Sequence, residues 1–135
     1  MAVPNKRKSK TSLAIVERAY RGSIEEQYGH IVWLSRIMKG MNAPTALLLK
    51  GDTVMFAKRQ QAHTKLTIGD MQLNVLSHYE SGIMDLMAAG VPLYGWHPDL
   101  VRLQLTESTM VEGIEWIRDA DMPGLISRHD CVWYW

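Results

Sequence analysis

Leu13-Ala14-Ile15-Val16, closed by Tyr20-Arg21-Gly22 and followed by Ser23 and Glu26, is the stretch that decides how the chain reads. The four-residue run is continuously apolar and partly β-branched, as a parallel strand covered on both faces requires. Ser23 with Glu26 three residues later forms a capping box, in which hydroxyl and carboxylate satisfy orphan backbone donors at a helix start. Beyond it Ile24, Tyr28, Ile31, Leu34, Met38 and Met41 step by four and three residues on one face, which Val32, Trp33 and Ile37 widen. Gly40 and Asn42 supply the stop. Strand, turn and helix follow one another.

The same alternation continues outward. Residues 45–49 are a second strand, and Gly51-Asp52 opens a short helical segment to about Ala57 with Asp52 as its N-cap. Residues 58–65 are polar and without period, a surface loop. From about Asp70 to Ala89 the pattern is helical, with Ser81-Gly82 as a point of bending or division, and Gly90 and Pro92 end it. Residues 91–94 give a third strand, Gly95-Trp96-His97-Pro98 turns into a short helix, and residues 114–117 give a fourth strand. A helix over about 120–127 leads to a fifth strand over 131–135. Strands joined by helical crossovers under the right-handed rule give an α/β chain, a three-layer α/β/α sandwich on a mainly parallel five-stranded sheet.

Composition fits one such domain. The chain has 135 residues, 47% hydrophobic and 21% charged, which is enough for a single core over 12–135 and leaves a basic, disordered tail over 1–11. No run of about 18 apolar residues is present to span a bilayer. The formal charge of +1 is a sum of opposites: Lys6, Arg7, Lys8 and Lys10 stand in the first ten residues, leaving eleven basic against fourteen acidic groups, a net of −3. Four charges without interleaved aromatics favour a solubilising tail over a nucleic-acid contact. The start carries no apolar secretory segment, so the cytoplasm is the expected location. A single cysteine, Cys131, excludes an internal disulfide and any cysteine-cluster metal site, and His30, His63, His78, His97 and His129 have no metal-ligand spacing. Neither a metal nor a cofactor is expected.

In a parallel sheet ligands gather beyond the C-terminal ends of the strands. That rule selects Tyr20, Arg21 and Gly22 after the first strand, Lys50, Gly51 and Asp52 after the second, and Gly95, Trp96 and His97 after the third.

Taken in order, Ala14-Ile15-Val16 with its Ala-Tyr-Arg-Gly loop, Leu47-Leu48-Leu49-Lys50-Gly51-Asp52, Met87-Ala88-Ala89-Gly90-Val91-Pro92-Leu93-Tyr94, Val111-Glu112-Gly113-Ile114-Glu115-Trp116-Ile117 and Asp130-Cys131-Val132-Trp133-Tyr134-Trp135 resemble the DsrE/DsrF-like family of small sulfur-metabolism proteins. The resemblance spans about Ser12 to Trp135. It implies a flavodoxin-like α/β/α domain assembling as a homotrimer or hexamer. For active members it also implies a cysteine just after the third strand that accepts sulfur as a persulfide and passes it to a sulfur-carrier protein. That position falls on or beside Trp96, where there is no thiol. The resemblance therefore points to a non-catalytic partner or small-ligand-binding module, with a persulfide relay through Cys131 as the alternative.

Cys131 itself, between Asp130 and Val132 in an apolar strand, reads as a buried, inert thiol. His129 precedes that strand as a candidate base or a plain surface residue. Trp96 is suited to stack on a planar ligand and His97 to bond or shuttle a proton, against the plainer reading that Trp96 fills a vestigial pocket or a subunit contact. Nine methionines and Trp133-Tyr134-Trp135 add apolar surface beyond what one small core needs, which independently favours oligomerisation.

Overall fold

The computed structural model describes residues 11–17, 44–61, 66–73 and 79–134. Residues 1–10 of the basic tail, the helix expected over 23–42 and the Tyr20-Arg21-Gly22 turn lie outside them.

Strands β1 (Ser12–Val16) and β2 (Thr45–Leu49) are the runs the composition selected, and both are buried along their whole length. A hairpin follows, β3 (Leu66–Ile68) and β4 (Met71–Leu73), then α1 (Tyr79–Ala88), β5 (Leu93–Trp96), α2 (His97–Arg102), β6 (Glu115–Ile117), α3 (Met122–Ser127) and β7 (Cys131–Tyr134). Five strands form one parallel sheet in the order β6-β5-β2-β1-β7. This is the flavodoxin-like α/β arrangement.

Period-two alternation divides the sheet residues between two cores. Ala14, Val16, Leu47 and Leu49 pack with Val54, Ile83, Leu86 and Leu100, so α1 and α2 cover that face. Leu13, Ile15, Ala46 and Leu48 pack with Ile117 and with Leu125 of α3 on the other. Each fully buried leucine or isoleucine here contributes about 1.5–3 kcal/mol relative to exposure, which is why β1 and β2 tolerate no polar residue in their interiors. At their first positions Ser12 and Thr45 are buried too. Their hydroxyls bond each other at 2.8 Å, so neither is left unsatisfied.

Three local expectations need correction. The helix expected from Asp70 is corrected over 70–73, where Ile68-Gly69-Asp70-Met71 makes a two-residue hairpin turn: Ile68 pairs with Met71, and Gly69 takes φ +59°; the described helix is Tyr79–Ala88. The Gly-Asp step outweighs the loose apolar spacing that follows it. From Tyr79 the helix runs through Ser81-Gly82 without division. The third sheet strand extends through Gly95 and Trp96, which were read as a turn, because Gly95 and Trp96 pair in register with Trp116 and Ile117. Finally, Asp52 is not an N-cap. The 3-10 turn Gly51–Ala57 is capped from Lys50, whose N–H donates to the Thr53 hydroxyl at 3.1 Å, while that hydroxyl lies 2.5 Å from the Val16 carbonyl, an acceptor for its proton.

Candidate functional site

Because the sheet is parallel, the ends of β2, β5 and β6 place Lys50, Trp96 and Arg118 side by side. Leu49 is in register with Gly95, and Trp96 with Ile117, so Lys50 and Arg118 flank the Trp96-His97 step from either neighbouring strand. Trp96 is half-buried, packed against the core on the α3 face. The Lys50 ammonium sits 5.6 Å from its ring centroid, a cation–π distance. Beneath this corner Gly95 carries the Trp116 ring: a Cβ there would stand 2.6 Å from Cε3 of Trp116. Only glycine lets the two strands close with that indole between them.

His97 opens α2 with Pro98 behind it, a favourable residue at a helix start. Its Nε2 is 3.4 Å from a terminal nitrogen of Arg118 and 3.6 Å from a carboxylate oxygen of Glu107.

A second set of contacts ties the end of β2 to α2. The Gly51 N–H donates to Asp99 at 2.6 Å; Arg102 Nε donates to the other oxygen of Asp99 at 3.1 Å, and its terminal nitrogen reaches Asp52 at 3.3 Å. The two carboxylates hold the Arg102 guanidinium above its usual range, chiefly through the hydrogen bond it donates to Asp99 and then the one it donates to Asp52. Gly51 has φ +60°, and a Cβ at that position would meet the Glu17 carbonyl at 2.7 Å. The Gly51 backbone conformation and its close approach to Glu17 both require glycine.

The residues chosen from the sequence thus fall into three groups. Lys50, Gly51, Asp52, Gly95, Trp96 and His97 gather at one end of the sheet as expected, while Tyr20, Arg21 and Gly22 are outside the described residues. Cys131 is elsewhere. It lies level with Ser12 and hence with Thr45, at the opposite end of the sheet and three strands away from β5, roughly 20 Å from Trp96 by strand geometry.

The expectation of a buried thiol is overturned: Cys131 is exposed. The reason is position in the sheet, since β7 is an edge strand and all four of its residues are exposed. Around the thiol, Asp130 accepts the Thr11 N–H at 2.8 Å and gives its own N–H to the Thr11 carbonyl at 2.9 Å, clipping β7 to β1. His129 bonds the Leu125 carbonyl through Nδ1 at 2.8 Å. Among the described residues, the sulfur meets the Thr11 carbonyl oxygen at 3.8 Å.

Asp99, Arg102, Glu107 and Arg118 were missed. Arg118 follows a strand and satisfies the same selection rule as Lys50. The other three lie on α2 and in the turn after it, and only the fold brings them to the strand ends. Among the described residues no three His, Cys, Asp or Glu side chains converge as metal ligands would, and no helix is long and apolar enough to cross a membrane. A cavity of about 520 Å³ lies between β6 and α3, lined by Glu115, Ile117, Asp121, Leu125 and Arg128.

No family model matches the chain. No curated protein matches it either. Among solved structures, that of the ychN protein from E. coli superposes with a TM-score of 0.70 over 93% of this chain and 99% of that one, at 16% identity. The chain therefore shares its fold with ychN, a protein of DsrE-like fold.

Proposed function

We propose that this protein is an oligomeric DsrE-like domain that serves sulfur metabolism without catalysis, as a protein partner or as a small-ligand-binding module in the cytoplasm. The observation that carries the reading is the end of β5. Where the resembled family places its sulfur-accepting cysteine stands Trp96, followed by His97 and flanked by Lys50 and Arg118, and the chain's one thiol is at the far end of the sheet. An indole with a cation beside it and an imidazole next to it offers stacking and hydrogen bonding, with no nucleophile for sulfur. The oligomer reading draws support from β7, an edge strand that leaves Val132 42%, Trp133 51% and Tyr134 62% exposed. A homotrimer or hexamer would cover such surface.

The exposure of Cys131 favours a second reading, a persulfide relay through that thiol. Incubation with a persulfide donor followed by intact-mass measurement separates the two. The non-catalytic reading expects no transferable adduct; a gain of about 32 Da that passes to an acceptor and is lost in Cys131→Ser establishes the relay instead.

A further inference from the structure

We infer that His97 is a proton-operated switch that holds Arg118 when neutral and releases it when protonated. One ring nitrogen, Nε2, faces both a guanidinium nitrogen at 3.4 Å and a carboxylate oxygen at 3.6 Å. It cannot serve both in one state. A guanidinium only donates, so bonding to Arg118 requires an Nε2 lone pair and puts the single imidazole proton on Nδ1. A carboxylate only accepts, so bonding to Glu107 requires a proton on Nε2. Protonating Nε2 thus removes the acceptor that Arg118 uses, sets two cations against each other, and turns the ring toward Glu107.

The surroundings make this exchange local. Arg118 has no carboxylate within ion-pair distance of its guanidinium among the described residues, whereas the other cation on α2, Arg102, is engaged by Asp99 and Asp52. Among the described residues the charged groups about His97 are Arg118 from the end of β6, Glu107 from the turn after α2, Asp99 and Arg102 on α2 itself, Asp52 beyond them and Lys50 across Trp96. Asp99 and Asp52 are tied to Arg102, which leaves Glu107 and Arg118 as the pair that responds to the ring. Because Arg118 follows Ile117, the register partner of Trp96, its release changes the charge beside the indole. The bearing on ligand binding rests on the proposed ligand end of the sheet; the chemistry of the exchange does not.

Nitrogen-15 NMR of the full-length protein tests it, with His97→Asn assigning the resonance. In its neutral state His97 is expected as the Nδ1–H tautomer, the minority form for a free imidazole, and the Arg118 guanidinium resonances are expected to move when the ring is protonated. In Arg118→Met, which keeps an aliphatic stem without a donor, the neutral ring reverts to Nε2–H. His129, with Nδ1 on the Leu125 carbonyl, provides an internal reference for the Nδ1–H form in both proteins. An Nε2–H tautomer at His97 in the wild type, or a titration to which Arg118 is silent, overturns the switch. The readout needs no ligand, so the switch stands or falls apart from the proposed function.

Discussion

Asp99 receives the backbone N–H of Gly51 at 2.6 Å although 48 residues separate them, and so fastens the start of α2 to the end of β2. The site's geometry depends on this bond, because the Gly51 turn sets Lys50 and α2 carries His97. Asp99→Ala leaves a partly buried N–H without its acceptor and is expected to cost about 1–3 kcal/mol in denaturant unfolding. Asp99→Asn keeps an acceptor oxygen and is expected to lose less.

Gly51 and Gly69 form a controlled comparison. Both have left-handed backbone, φ +60° and +59°, but a Cβ at Gly69 meets nothing within 4 Å while one at Gly51 meets a backbone carbonyl. Gly69→Ala is expected to cost about 1–2 kcal/mol for its conformation alone. Gly51→Ala is expected to cost clearly more, measured in the same unfolding assay.

At the β5–β6 pairing, Gly95→Ala overpacks against Trp116, with an expected loss of about 1–3 kcal/mol. Adding Trp116→Leu to Gly95→Ala makes room for the methyl. A double-mutant cycle should show the two substitutions coupled in the compensating direction.

Cys131 reports on the edge of the sheet. If copies of the chain assemble over β7, thiol labelling is slower at concentrations where the oligomer persists and faster on dilution to monomer. Equal rates at both concentrations, alongside an oligomeric mass, would place the assembly surface elsewhere. Cys131→Ser, at an exposed position, should change stability by no more than about 0.5 kcal/mol.

The Arg102 contacts predict a flat pH response on the alkaline side. Its folded-state pKa is raised, so the stabilisation is fully present below the unfolded value and is lost only as pH rises through the folded value. The stability difference between wild type and Arg102→Met should therefore stay constant between about pH 8 and pH 10. It should shrink with added salt, since the guanidinium is solvent-exposed.

Sheet strands were legible where burial on both faces left an unbroken apolar run. Residues 45–49 were read to the residue, and β1 needed only Ser12 added. Short elements ruled by turn chemistry were not: the Gly69-Asp70 turn was passed over because apolar spacing was weighed across it. β5 was read over 91–94 instead of 93–96, two residues too early, because Gly95 looked like punctuation, whereas its missing side chain makes room for Trp116. At the site, a rule about strand ends found Lys50, Trp96 and His97. It could not find Asp99 or Glu107, whose approach depends on how α2 and the next turn pack. The apolar look of 131–135 misled for the opposite reason, since hydropathy does not distinguish an edge strand from a central one.

The clip between Thr11 and Asp130 spans 119 residues. On a ribosome β1 precedes the other four sheet strands, and β2, β5 and β6 can assemble along one of its edges as they emerge. Its other edge waits for β7. Until β7 emerges the nascent sheet exposes an apolar, unpaired flank of Ser12 to Ile15, and a translation product cut short before 131 would keep it. The strand that leaves Cys131 and Trp133 in solvent is thus also the one that ends the vulnerable phase of the chain's life.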